Sequence, residues 1–131
     1  PLKFDAHLMV AENNILEWSL MAKEFGFDRV IAQVESISHP EEFTALALDV
    51  HSPVEAIKPY LANLTYIVVM SVEPGFGGQE FTDAAIGHVK ELKKFGVTIC
   101  VDGGIEKQHL QMLEDLGVDE VAVGAKRVLE W

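Results

Sequence analysis

The segment Asp102-Gly103-Gly104 is where this sequence most directly suggests chemistry. It follows a short apolar run, so the Asp102 carboxylate would stand at the end of a strand, where it could act as a general base. The two glycines would let backbone N–H groups approach an anion such as a phosphate. A tight turn in which Asp102 caps the next helix explains the same residues. The motif alone leaves both interpretations open.

A second glycine-rich segment, residues 74–79, comes directly after another apolar run. Gly75, Gly77 and Gly78 place three glycines within four residues, which is more backbone freedom than a simple chain reversal needs. A loop that closes over a small anionic ligand accounts for this composition. An ordinary glycine-rich loop stays the alternative.

His7 lies within the short run at residues 5–10, on the side that also carries Asp5 and Met9. A lone histidine on a strand is more often a hydrogen-bonded structural group than a metal ligand. His7 and Asp102 together would form half of a divalent-metal site, and two ligands do not complete one.

Short apolar runs alternate along the chain with longer amphipathic stretches, a pattern that predicts βα units and a parallel sheet. We predict strands near residues 3–10, 28–35, 45–50, 64–71, 97–102 and 119–124. We predict helices near residues 13–25, 53–62, 82–95 and 106–116, and the start of a last helix at 126–131.

Several residues mark where these helices would begin and end. Asn13 and the pair Ser52-Pro53 suit helix starts, and Gly26, Gly96 and Gly117 suit helix ends. The connection at residues 36–44 is too short for a full crossover helix. It allows a turn or two, with Ser38 and Glu41 as a capping box and Pro40 in the first turn.

Side chains alternate between the two faces of each predicted strand. One face is uniformly apolar and belongs under helices: Ala6, Leu8, Val10, Val30, Ala32, Val34, Leu46, Leu48, Val50, Ile67, Val69, Val97, Ile99 and Val101. The other face is polar, small or sulfur-bearing, with ionisable groups towards the C-terminal ends of the strands. That end carries the active site in parallel α/β proteins.

Composition narrows the class of protein further. With 131 residues, we expect one domain over residues 1–131. The net charge of −11 argues against binding to nucleic acid or to anionic membranes, and no apolar run is long enough to span a membrane. We therefore expect a cytoplasmic protein, and the single cysteine, Cys100, is compatible with a reducing compartment.

Four motifs, taken in order, resemble the ribulose-phosphate 3-epimerase family. They are the segment 5–10, Ala47-Leu48-Asp49 with Ser52-Pro53, the glycine loop 74–79 with Phe81, and the segment 101–105. The resemblance covers essentially the whole chain. It implies a TIM-type (β/α)₈ barrel that interconverts ribulose 5-phosphate and xylulose 5-phosphate through a metal-stabilised enediolate, with one aspartate on each side of the substrate.

The resemblance also implies roles for individual residues. His7 would be a metal ligand, and Asp102 would be both a metal ligand and one of the acid/base pair. Zinc, manganese or iron would be the metal. The substrate and its phosphate would be contacted by Met9, Met70, Gly75, Gly77, Gly78, Gly103, Gly104 and Gly124.

Departures from the family pattern matter as much. The first two βα units of the family have no counterpart here. Those units carry another metal-binding histidine and the partner aspartate of the family. Gln33 stands where the family has its fourth-strand histidine, and Lys126 and Arg127 follow Gly124-Ala125 where apolar residues are usual. We therefore predict about six strands of a truncated barrel, with little or no epimerase activity in this chain by itself.

Two other functions stay open. The chain could be a non-catalytic module that binds phosphosugars or phosphate, or a truncated barrel scaffold. In each case we expect self-association as a homodimer, because exposed sheet edges are commonly covered in this way.

Overall fold

Six strands form the centre of the protein in a computed structural model that describes residues 2–10, 14–73 and 77–131. Each strand lies within the range that the sequence predicts. The strands are Asp5–Leu8 (β1), Arg29–Gln33 (β2), Ala45–Leu48 (β3), Tyr66–Met70 (β4), Thr98–Asp102 (β5) and Glu120–Ala122 (β6).

The strands pair in parallel and lie in the sheet in the order in which they occur in the chain. The short connection at residues 36–44 does not disturb this order, because Ala32 pairs with Leu46 and Gln33 with Ala47. An order without reversal puts each right-handed crossover on the same side of the sheet. Doubly wound sheets, in contrast, reverse their strand order and carry helices on both faces.

The helices follow the predicted pattern in most places. They are Ile15–Glu24 (α1), Ala84–Leu92 (α2), Leu110–Asp115 (α3) and Ala125–Val128 (α4). Gly26, Gly96 and Gly117 follow helical segments with φ of +89°, +71° and +85°, as expected of glycines that end helices. No helix in the described ranges has the length and apolar character to cross a membrane.

The helix predicted at residues 53–62 is wrong. The chain forms two 3₁₀ segments instead, Val54–Ala56 and Lys58–Asn63. Pro59 explains the difference, because it has no N–H to donate within an α-helix and its ring would clash with the carbonyl of the residue four positions earlier. Pro53, rather than Ser52, occupies the cap position of the first segment and makes no side-chain cap.

The predicted capping box of Ser38 and Glu41 is also wrong. Two 3₁₀ turns, Val34–Ser36 and Pro40–Glu42, lie between β2 and β3, and the cap position of the second is His39. The imidazole Nδ1 of His39 lies 3.0 Å from Glu41 Oε1, so Glu41 contacts the side chain at the cap position. The predicted cap Asn13 lies outside the described residues.

Two apolar clusters lie on opposite faces of the sheet. The outer face packs against the helices, and its core contains Val30, Ala32, Leu46, Leu48, Ile67, Val69, Ile99 and Val101 together with Ile15, Ala22, Ala85, Val89, Leu92 and Leu113. The inner cluster contains Ile31, Ala45, Ala47, Tyr66, Val68, Met70 and Cys100. These inner side chains bury one another, so the sheet is curled. Six parallel strands with helices outside form an incomplete TIM-type barrel.

Candidate functional site

A cavity of about 460 Å³ lies beyond the C-terminal ends of the strands. Predicted site residues line it: Met9, Met70, Gly77, Gly78, Asp102, Gly103, Gly104 and Gly124. The predicted site residue Gly75 lies outside the described residues. His7 is not among the lining residues; it lies on β1 and contacts β2.

Strand register explains why distant residues meet at this cavity. Met70 pairs with Asp102 across β4 and β5, and Asp102 pairs with Ala122 across β5 and β6. Paired residues of neighbouring strands point to the same face, so these three side chains form one row on the inner face. Met9 follows β1 and reaches the same cavity because the sheet is curled.

Asp102 is the ionisable group of this row. Burial raises the pKa of its carboxyl, and the nearby imidazole of His7 offsets part of the rise. A carboxyl with a raised pKa exchanges protons more readily near neutral pH, which suits a general acid or base. The alternative in which Asp102 caps the next helix is wrong, because Glu106 occupies that cap position.

Ser71, which the sequence analysis missed, fixes the turn after Asp102. Its backbone N–H donates to the carbonyl oxygen of Asp102 at 2.8 Å, and its fully buried hydroxyl lies 3.1 Å from the same oxygen and contacts the carbonyl of Gly103. Gly103 has a φ of +125°, and a Cβ there would lie 2.5 Å from Val72 Cγ2. Glycine is therefore required at this turn by packing.

Gln79, also missed, closes the chain around the glycine loop. Its side-chain amide donates to the carbonyl oxygen of Glu73 at 2.7 Å and accepts the N–H of Glu73 at 3.1 Å. Both residues line the cavity. The two bonds hold Glu73 and Gln79 together beside the cavity.

A series of hydrogen bonds links His7 to the neighbouring strands. His7 Nε2 lies 2.9 Å from Gln33 Oε1, Gln33 Nε2 donates to Glu35 Oε2 at 3.1 Å, and Glu35 Oε1 accepts the N–H of Asp49 at 2.8 Å. Because an amide oxygen only accepts, His7 Nε2 is the donor in its bond to Gln33 and is not available to a metal ion. Within the described ranges, no group of three or more His, Cys, Asp and Glu side chains could hold a metal ion.

Arg127 is a further lining residue without an assigned role in the sequence analysis. Its Nη1 contacts Glu106 Oε1. The only signal in the sequence was its type, since a basic residue follows Gly124-Ala125 where the resembled family is usually apolar.

Comparisons with known proteins identify the family. The model of the ribulose-phosphate 3 epimerase family matches residues 1–128. Over 92% of the chain, identity is 31% to a ribulose-phosphate 3-epimerase of Schizosaccharomyces pombe and 34% to one of Helicobacter pylori (strain J99). The matches cover 58% and 62% of those relatives, so the chain spans about three-fifths of their length. This chain belongs to the ribulose-phosphate 3-epimerase family.

Proposed function

We propose that this chain binds a phosphorylated pentose, ribulose 5-phosphate or xylulose 5-phosphate, in the cavity at the C-terminal edge of the sheet. One observation carries the proposal: a half-buried carboxylate, two methionines and three glycine turns converge on that cavity. Its volume of about 460 Å³ lies within the roughly 300–1,000 Å³ typical of small-molecule sites.

Each group has a distinct role in this proposal. Asp102 moves a proton at the sugar carbon, and Met9 and Met70 form apolar walls against which the sugar packs. The turns at Gly103-Gly104 and at Gly124 present backbone N–H groups to the phosphate, which is a favourable environment for an anion. Gly77 and Gly78 contribute to the lining as well.

We also propose that the chain by itself has little or no epimerase activity. Epimerisation needs one group to remove a proton from one face of the carbon and a second group to return it to the other. Asp102 supplies one. Glu73 is a second carboxylate in the lining, but it is half exposed and contacts His51. The loss of one acid/base group typically lowers the rate about 10²- to 10⁴-fold.

Metal binding by this chain should be weak. His7 and Asp102 supply two ligands for zinc, manganese or iron, whereas a catalytic zinc site usually has three protein ligands. His7 has one nitrogen already bound to Gln33. The residues present do not fit a resident metal, and no step of the proposed chemistry depends on one.

Calorimetry and a coupled enzymatic assay test these proposals together. We expect ribulose 5-phosphate to bind to the purified chain, with turnover far below the roughly 10 per second of an ordinary enzyme, with or without added metal. Absence of binding would overturn the proposed ligand. Ordinary turnover that Glu73→Gln abolishes would instead identify Glu73 as the second acid/base group.

Self-association is a separate proposal. Within the described chain, β1 and β6 each pair on one side only. Large apolar side chains are exposed near both strands: Leu2, Phe4, Trp18, Met21 and Phe25 on one side, and Val121, Val128, Leu129 and Trp131 on the other. A homodimer would cover part of this surface. Sedimentation that shows only monomer at tens of micromolar would contradict it.

A further inference from the structure

We propose that Arg127 is the residue that recognises the phosphate group of the ligand by charge, a role that deepens the proposed function of the cavity. The guanidinium would face the phosphate from α4 while the glycine turns contact it through backbone N–H groups. Ligands that carry a phosphate dianion would then be preferred over unphosphorylated sugars.

The position of Arg127 supports this role. Its side chain is 26% exposed and lines the same cavity as Gly103, Gly104 and Gly124. Gly124 directly precedes α4, and a Cβ at this glycine would meet no atom within 4 Å. The space beside Gly124 is therefore open, and an anion there lies next to the helix that carries Arg127.

The charge of the surroundings favours a cation at this place. The whole chain has a net charge of −11, and the cavity is lined by the carboxylates of Glu73 and Asp102. Arg127 is the one basic side chain among the described residues that line the cavity. A phosphate dianion in this acidic environment needs a compensating positive charge, since unpaired charges in partly buried sites are unfavourable.

Glu106 holds the guanidinium of Arg127 in position but does not occupy all of the guanidinium's N–H donors. The Glu106 carboxylate accepts the backbone N–H of His109, while the Glu106 N–H donates to His109 Nδ1 at 2.9 Å. Glu106 is thus a fixed partner for Nη1 of Arg127. A guanidinium has five N–H donors, so the remaining ones are free to bind phosphate oxygens in the bidentate geometry that arginine favours.

A matched pair of substitutions tests the inference. Arg127→Gln and Lys126→Gln each remove one positive charge from α4, but Lys126 is exposed and does not line the cavity. The probe is inorganic phosphate, titrated by calorimetry at low ionic strength. We expect Arg127→Gln to raise Kd about ten- to a hundredfold, as for the loss of a charge-assisted hydrogen bond. Lys126→Gln should change Kd less than about twofold, and Arg127→Lys should fall between wild type and Arg127→Gln.

The outcomes separate this inference from the proposed function. Phosphate binding that depends on Arg127, without binding of ribulose 5-phosphate, supports Arg127 and contradicts the sugar ligand. Equal effects of Arg127→Gln and Lys126→Gln, unchanged binding in Arg127→Gln, or no phosphate binding by the wild type would overturn the inference. Circular dichroism of each variant checks that the fold is retained, and Arg127→Lys provides the readout if Arg127→Gln unfolds.

Discussion

Gly104 lies directly against the chain before Phe81, so closely that a Cβ at Gly104 would overlap the backbone nitrogen of Phe81. The same Cβ would lie 2.7 Å from the carbonyl oxygen of Gln79, and the φ of Gly104 is +63°. The turn after β5 and the segment that leads to α2 therefore fit together only if residue 104 has no side chain. Gly124 differs, since its φ is −58° and the space beside it is open.

Gly104→Ala should destabilise the protein while Gly124→Ala should not. We expect a loss of about 2–4 kcal/mol for Gly104→Ala, because backbone strain at positive φ adds to the overlap with residues 79–81. Gly124→Ala should change the free energy of unfolding by less than about 0.5 kcal/mol. Urea unfolding of both variants measures this difference, and equal losses would show that the packing of Gly104 is not the cause.

Asp102→Asn should stabilise the protein in a pH-dependent way. Burial raises the pKa of Asp102 above its ordinary value of 3.8. In the window between pH 3.8 and this raised pKa, the folded protein binds more protons than the unfolded chain. Stability therefore falls as the pH rises through this window, and the ionised carboxylate is unfavourable above it. The gain in the variant should be largest at pH 7 and vanish towards pH 3.

Urea unfolding of Asp102→Asn at several pH values measures the effect, with the exposed Glu114→Gln as the charge control. A gain that does not vary with pH would contradict the assignment to the carboxyl of Asp102. If removal of the Asp102 carboxylate stabilises the protein, this carboxylate is a group that is kept for function at the expense of stability.

Gln33→Leu should lower the free energy of unfolding by about 1–3 kcal/mol, because polar groups that Gln33 binds would lose a hydrogen-bond partner. Gln33 is only 3% exposed and binds both His7 and Glu35. Leucine would fill a similar volume but leave both groups without this partner. The exposed Gln111→Leu is the matched control. If the two variants unfold at the same urea concentration, the series from His7 to Asp49 contributes no stability.

Cys100 should resist alkylation in the folded protein. Its side chain is 5% exposed, and burial raises the pKa of the thiol to about 11. At pH 8 the reactive thiolate would be roughly one in a thousand of the population. We expect negligible modification of the native protein by iodoacetamide over an hour and complete modification in urea. Mass spectrometry measures the extent of modification in both. Rapid labelling of the native protein would show that the inner face of the sheet opens readily.

The strands and their two faces could be predicted from the sequence because side chains alternate between the faces from one residue to the next. This pattern is visible within a few neighbouring residues. The outer face, from Val30 to Val101, follows that alternation and packs under the helices. Asp102 could be placed at the site because it stands at the C-terminal end of a predicted strand, whereas the role of Met70 came from the family resemblance.

Other features depend on contacts that the sequence does not display. The hydroxyl of Ser71 fixes a turn more than 30 residues later, and Arg127 contacts Glu106 across 21 positions. Gln33 was recognised as a substitution, but its bonds to His7 and Glu35 follow from strand pairing. The error at residues 53–62 was avoidable, because Pro59 lies in the interior of the predicted helix.

Sequential strand order has a consequence for how the molecule opens. Each inner strand is held by two neighbours, whereas β1 and β6 are each held by one. As in linear repeat proteins, local unfolding should then begin at the ends and move inward, so that amide exchange is slowest in the two central strands, β3 and β4. The cavity spans this gradient, with Met70 on a central strand, Asp102 on the next strand and Gly124 and Arg127 beyond the terminal strand. A ligand that contacts both sides of the cavity would link the edge of the sheet that opens most easily to the most stable part of the sheet.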